Sequence, residues 1–195
     1  LEREFKKSLG VDGALRRVFS SHKAARATAE KLGTYAGLWH EAERAKAAII
    51  EQTRGQGTED LGPALTEYVS QVKLLAESAN EIDRIVDAIP MGALSTDKAA
   101  LLTKEGKATT PTMKAEYRKS IEEIERQEGS WEDLKNQSEV IRLRLGSSVN
   151  QLKQMRIDIA RLKAVGETEP AAEGNLGTLR ARTEELSRYL EDLRR

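Results

Sequence analysis

The sequence predicts an all-α protein, built as an elongated antiparallel helical bundle or coiled coil of three to four long helices. Three observations support this prediction. An apolar seam with alternating 3-4 spacing continues through seven heptads between residues 113 and 162, without a proline. Aromatic residues make up only 4% of the chain and charged residues 33%, which favours a thin aliphatic core. Proline and glycine concentrate between long periodic segments, where they begin or end helices.

The chain is predicted to form a single domain over residues 1–195, with a short amphipathic lead-in over residues 1–12. The first long helix is expected over about residues 13–54, where an alanine-rich seam permits close approach of a neighbouring helix. Gly33 and Gly37 are its weak points, because glycine in a helix interior costs about 1 kcal/mol relative to alanine.

The second helix is predicted over about residues 63–89, with Pro63 at the first helical position. A long connection follows over residues 90–111. Its leucines would expose apolar surface in an open linker, so a short helix is expected over about residues 96–104.

The third helix is predicted over about residues 111–165, with Thr110 as its N-cap and Pro111 at its first position. At 1.5 Å per residue, its roughly fifty-residue periodic stretch reaches about 75 Å, which is longer than a compact domain of this mass is wide. Gly129 and Gly146 are candidate bends. The sequence therefore predicts a rod.

A flexible turn at residues 166–175 precedes the fourth helix, which is predicted over about residues 176–194. In an antiparallel arrangement the second helix would cover the first half of the third helix, and the fourth helix would cover the second half. The second half would then have only one neighbour, and its open apolar edge predicts a homodimer. The candidate dimer seam consists of Leu145, Leu152, Met155, Ile159, Leu162, Leu186 and Leu190.

The charge balance limits the classes of partner. The chain carries 32 basic and 32 acidic residues, so it lacks the basic excess of a dedicated nucleic-acid binder. It has no cysteine, which excludes disulfides and thiolate metal sites. No window approaches the roughly 18 apolar residues of a membrane span. The expected localisation is cytoplasmic, and a chain that begins at Leu1 is expected to be a fragment.

Basic residues are concentrated in residues 14–31 and 140–165, whereas residues 116–139 are acidic. The favoured interpretation is complementary pairing between helices, which fixes register and orientation. The alternative is a surface for anionic lipid or an acidic protein. The candidate contacts with an anionic surface are Arg16, Arg17, Lys23, Arg142, Arg144, Lys153, Arg156, Arg161 and Lys163.

The sequence offers no catalytic, cofactor-binding or metal-binding residue, so neither enzymatic activity nor a small-molecule substrate is predicted. His22 and His40 lie on one predicted helix about 27 Å apart, too far to share a metal within a monomer. The Glu-x-x-His motif of ferritin-like sites is missing. Trp39 and Trp131 are interpreted as core residues that anchor the register between the first and third helices.

Two functions remain open from the sequence. The favoured one is a non-enzymatic coiled-coil scaffold or assembly domain, a structural protein that dimerises and contacts other helical proteins along a rod. The alternative is a BAR-like dimer that binds anionic membrane surfaces through its basic helix faces, with the amphipathic lead-in as an insertion wedge.

Overall fold

The structure, a computed structural model, describes residue 28 and residues 30–54, 60–165 and 169–193. No strand occurs among these residues, which confirms the all-α prediction. The predicted lead-in over residues 1–12 lies outside the described residues. The described elements are a 3₁₀ turn (Gly33–Tyr35) and five α-helices: α1 (Ala36–Thr53), α2 (Leu61–Ala88), α3 (Met91–Lys107), α4 (Pro111–Val165) and α5 (Glu169–Asp192).

The predicted first helix does not run unbroken to its end. Gly33 has a φ of +49°, in the left-handed region that favours glycine, and it ends the helical residues that precede it. The side-chain amide of Asn80 in α2 donates to the backbone oxygens of Lys31 at 3.0 Å and Glu30 at 3.4 Å. These bonds satisfy carbonyls that the interrupted helix leaves without partners. The prediction of a continuous helix is therefore wrong at Gly33.

Substitution Gly33→Ala is expected to lower the free energy of unfolding by about 1–3 kcal/mol. An added Cβ would overlap the side-chain oxygen of Asn80, and alanine disfavours the left-handed backbone at this position. Gly37→Ala is the matched control, because the Gly37 Cβ would have no neighbour within 4 Å. Urea denaturation followed by circular dichroism measures both changes. Equal effects of the two substitutions would contradict this account of the turn.

Helices α2, α3 and α5 differ in extent from the predicted elements. α5 begins at Glu169, so residues 169–175 of the predicted flexible turn are helical. α2 begins at Leu61, so Pro63 occupies the third helical position, still within the first turn where a missing N–H costs little. The predicted short helix over residues 96–104 is instead the full 17-residue helix α3. Only Ile89 and Pro90 separate it from α2.

Helix α4 has the predicted bounds, Pro111–Val165, and its 55 residues correspond to about 80 Å. Thr110 caps it as predicted, since its hydroxyl accepts a hydrogen bond from the Met113 amide at 3.3 Å. The helix continues through Gly129 and Gly146.

Contacts along α4 differ from the predicted arrangement. α3 runs antiparallel along the first half of α4, where Glu105 pairs with Arg118 at 2.9 Å. The second half is contacted by three helices. From α2, the Tyr68 hydroxyl donates to the Ser148 backbone oxygen at 3.4 Å. Ion pairs join Lys153 to Glu41 of α1 at 2.6 Å and Arg144 to Glu185 of α5 at 3.4 Å. The physical reason is that α3 occupies the first half and displaces α2 towards the second.

The apolar core lies where α1, α2, the second half of α4 and α5 meet. We call this region the four-helix core. By contrast, α3 has no fully buried side chain, and residues 111–130 of α4 bury only Ile121 and Ile124. We call α3 together with residues 111–130 the two-helix arm. Fully buried residues of the four-helix core include Ala42, Ile49, Leu65, Val72, Leu75, Ile141, Leu145, Leu152 and Leu179.

Candidate interaction surfaces

A polar cluster joins three elements beside the four-helix core. The Tyr35 hydroxyl donates to Asp83 at 2.6 Å, and the Ser138 hydroxyl donates to the other oxygen of the same carboxylate. Arg142 lies 3.3 Å from the Tyr35 oxygen and 3.7 Å from Asp83. Tyr35 and Ser138 are both buried. The cluster therefore fixes the 3₁₀ turn, α2 and α4 relative to one another.

Burial raises the pKa of the Tyr35 hydroxyl above its ordinary value, and the hydrogen bond with Asp83 raises it further, while Arg142 opposes the rise. The hydroxyl therefore remains a donor to Asp83 at neutral pH. The sequence contained one signal of this cluster, because Ser138 occupies a seam position, and polar residues at such positions often set register. Its partners were not predicted, since Tyr35 and Asp83 lie far from Ser138 along the chain.

The two tryptophans lie at helix contacts, and Trp131 binds a different helix from the one predicted. Trp131 of α4 donates its indole N–H to the backbone oxygen of Val86 in α2 at 3.2 Å. Trp39 of α1 packs partly buried against the core, with the Lys73 ammonium of α2 5.7 Å from its ring centroid. Both side chains therefore contact α2, so Trp131 positions α4 against α2 and not against the first helix.

The residues of the predicted dimer seam lie inside a single chain. Leu145 and Leu152 are completely buried, and Met155, Ile159, Leu186 and Leu190 are at most 5% exposed. α1 and α2 cover the part of α4 that the sequence left open. The Leu162 side chain lies outside the described part of the structure. The six described residues therefore offer no open seam to a second copy.

Most of the described cations proposed for an anionic surface engage other helices of the same chain. Arg142 belongs to the polar cluster, and Arg144 also lies over the Tyr189 ring at 4.1 Å. Lys163 donates to the Gln52 backbone oxygen at 3.1 Å. With the Lys153 and Arg144 ion pairs given above, the interhelical set is Arg142, Arg144, Lys153 and Lys163.

The remaining candidate cations are either unpaired on the surface or outside the described residues. Arg156 and Arg161 are exposed and make no ion pair with a described residue. Arg16, Arg17 and Lys23 lie outside the described residues. The six described candidate cations therefore do not form one continuous unpaired surface.

Ion pairs also hold the two-helix arm together. Lys98 of α3 lies 2.7 Å from Glu128 and 3.2 Å from Glu125 of α4. The hydrogen bond with Glu128, supplemented by Glu125, raises the pKa of Lys98. Together with the Arg118 pair, these contacts show that charges stabilise the alignment of α3 on α4 where apolar burial is small.

An exposed uncharged stripe lies on α4, on the side opposite its buried seam. Three of its members are large apolar residues: Val140 is 44% exposed, Leu143 64% and Ile157 46%. Sequence reasoning missed this stripe, although its 3-4 spacing is visible in the sequence. We call it the outer stripe; its members, all exposed, are Asn136, Val140, Leu143, Ser147, Asn150, Gln154 and Ile157.

Charged residues bound the outer stripe at both ends. Asp133 and Arg161 are the next positions on the same face of α4. In the arm this face carries three charged residues, which are Lys119, Glu122 and Arg126. The stripe is therefore a defined segment of about 32 Å on an otherwise charged helix face.

The described part of the chain contains neither a grouped set of metal ligands nor a membrane-crossing helix. Among these residues no three His, Cys, Asp or Glu side chains are grouped closely enough to hold a metal ion. His40 is exposed beside Trp39, with ring centroids 4.8 Å apart, and His22 lies outside the described residues. Likewise, no helix that the structure describes is both long enough and apolar enough to cross a membrane.

The described region thus defines an all-helical protein in which α1, α2, α4 and α5 share a core, and α4 extends beyond that core alongside α3. The sequence matches no protein-family model and no curated protein, and no solved structure matches the chain.

Proposed function

We propose that this chain is a non-enzymatic structural scaffold, one elongated helical-bundle domain with coiled-coil packing that acts by homodimerisation and by contacts with other helical proteins. The observation that carries the proposal is the outer stripe. A core completed within one chain normally leaves a charged outer helix face, yet this face is uncharged and exposes Val140, Leu143 and Ile157. Such a face is typical of a surface that another helix covers.

The geometry of α4 supports a role in spacing partners. The helix extends about 80 Å and links the four-helix core to the two-helix arm. Interhelical hydrogen bonds from Trp131 and within the polar cluster fix the register at the junction between these two parts. A helix held in this way places surfaces at its two ends at a set distance from each other.

Sedimentation equilibrium of the wild-type chain over about 5–500 µM tests self-association. Partial conversion of the 21.7 kDa monomer to a dimer is expected within this range, because a short helix–helix contact belongs to the small, weak class of interfaces. A chain that remains monomeric at the highest concentration would remove dimerisation from the proposal.

The alternative, a BAR-like dimer on an anionic membrane, is less well supported. Four of the six described candidate cations already engage groups on other helices, which leaves Arg156 and Arg161 available. Among the described candidates, two exposed cations provide about 1 kcal/mol each near an anionic surface, too little for stable binding through this part of the chain.

We therefore expect the chain to stay in the supernatant when it is centrifuged with phosphatidylserine-containing vesicles at low salt. Neutral phosphatidylcholine vesicles serve as the control. Pelleting with the anionic vesicles alone, relieved by a combined Arg156→Glu and Arg161→Glu substitution, would favour the membrane function over the scaffold.

A further inference from the structure

We propose that the outer stripe of α4 binds the outer stripe of a second copy in a parallel, in-register helix pair. This inference rests on the proposed self-association and names the surface that performs it. The stripe has the 3-4 spacing of a coiled-coil seam, with Val140 and Leu143 in successive core positions. Within parallel coiled coils, a β-branched residue followed three positions later by leucine favours two strands over three or four.

In-register pairing matches residues of the same kind along the stripe. Leu143 and Ile157 each meet their own counterpart, so apolar side chains face apolar side chains. Ser147, Asn150 and Gln154 likewise face their counterparts, and each is able both to donate and to accept hydrogen bonds. An antiparallel pair centred on the stripe would instead place Leu143 opposite Asn150 and Ile157 opposite Asn136. The side-chain chemistry therefore favours the parallel orientation.

The charges that flank the stripe complement one another in the same orientation. In a parallel pair with Val140, Ser147 and Gln154 at the first core position of each heptad, the residue before each of these three faces the partner's residue five positions later. Glu139 then faces Arg144 of the second copy, and Lys153 faces Asp158 of the second copy. Each pair occurs twice by symmetry, and none of these flanking contacts joins like charges. Glu139 and Lys153 are exposed, and Arg144 and Asp158 are half-exposed. Arg144 and Lys153 already pair with Glu185 and Glu41 of their own chain, so the contacts with the second copy form by sharing or exchanging these surface ion pairs.

Like charges set the limits of the contact. Continuing the pairing in register would place Asp133 against Asp133 at one end and Arg161 against Arg161 at the other. Farther into the arm, Lys119, Glu122 and Arg126 would also meet their own counterparts. The two helices therefore pair over residues 136–157, and the arms of the two copies diverge.

The surface is tested by sedimentation equilibrium of Leu143→Glu and Ile157→Glu beside the wild type. Each substitution is expected to raise the dimer dissociation constant at least tenfold, because it places two carboxylates opposite each other in the seam. Leu102→Glu is the matched control, since Leu102 is a 49% exposed leucine of the arm, away from the stripe, and it is expected to leave dimerisation unchanged. Both stripe positions are exposed, and circular dichroism verifies that the variants remain folded.

The outcomes separate this inference from the function on which it rests. A wild-type dimer that the two stripe variants preserve overturns the outer stripe as the interface while self-association stands. A wild type that stays monomeric to about 500 µM overturns both the stripe interface and self-association. The outer stripe would then be a surface for binding a different protein.

Orientation is tested by disulfide formation, since the natural chain has no cysteine. Leu143→Cys and Ile157→Cys, made separately, are both expected to give oxidised dimers, because each position faces its own copy. In an antiparallel pair at most one of them lies at the two-fold axis, and the other is separated from its counterpart by more than 20 Å, beyond the reach of a disulfide. Cross-linking of only one variant, or of neither, overturns the parallel arrangement.

Discussion

Substitution Leu152→Ala is expected to lower the free energy of unfolding by about 3–5 kcal/mol. Leu152 is completely buried in the four-helix core, between helices of the same chain. Its replacement removes three side-chain carbons from a packed interior and leaves a cavity that the neighbouring helices can fill only in part. Urea denaturation at a protein concentration of a few micromolar measures the loss.

Leu143→Ala provides the matched control for this substitution. Leu143 lies on the same helix but is 64% exposed, so truncating it is expected to change the stability of the monomer by no more than about 0.5 kcal/mol. The effect of Leu152→Ala should also be independent of protein concentration, because the cavity forms within one chain. A loss that shrinks as the chain is diluted would return Leu152 to an interface between copies, as the sequence alone suggested.

The features that the sequence predicted correctly are those that depend on residues close together along the chain. Both ends of α4 follow from local signals, since Thr110 and Pro111 begin the helix and the heptad seam carries it to Val165. Most of the described aliphatic residues of that seam are buried, and Leu134 is half-buried. What the seam could not indicate was its partner, because an apolar stripe packs equally well against a helix of its own chain or of another.

The way α2 and α3 divide the length of α4 could not be predicted, because it depends on α3, a helix with little apolar burial. α3 buries no side chain completely, so its apolar periodicity was too faint to reveal a full-length helix in the connection. Its position on α4 is set by ion pairs such as Lys98 with Glu128, whose partners lie 30 residues apart. Once α3 takes the first half of α4, α2 has to pack along the second half, and the predicted open edge disappears.

The break at Gly33 also depended on a distant residue. A glycine in an alanine-rich helix is compatible with an unbroken helix or with a helix end. Asn80, 49 residues from Lys31, supplies the amide that satisfies the freed carbonyl. Local sequence therefore marked the weak point, whereas tertiary contact decided its conformation.

The polar cluster yields the second large prediction, a loss of about 2–4 kcal/mol in unfolding free energy for Asp83→Ala. The substitution removes the acceptor of two hydroxyl groups, those of Tyr35 and Ser138, and both residues are buried. Arg142 also loses a nearby carboxylate. Asp87→Ala is the control, because Asp87 lies one turn farther along α2, exposed and without a described ion pair, and a change within about 0.5 kcal/mol is expected.

A double-mutant cycle between Asp83→Ala and Tyr35→Phe separates the cluster from a simple loss of side-chain packing. If the Tyr35 hydroxyl contributes through Asp83, Tyr35→Phe costs about 1–2 kcal/mol in the wild type and little once Asp83 is gone. The resulting coupling energy should therefore reach at least about 1 kcal/mol. Strictly additive losses would mean that the two groups act independently, and the hydrogen bond between them would then no longer explain how the 3₁₀ turn is held against α2.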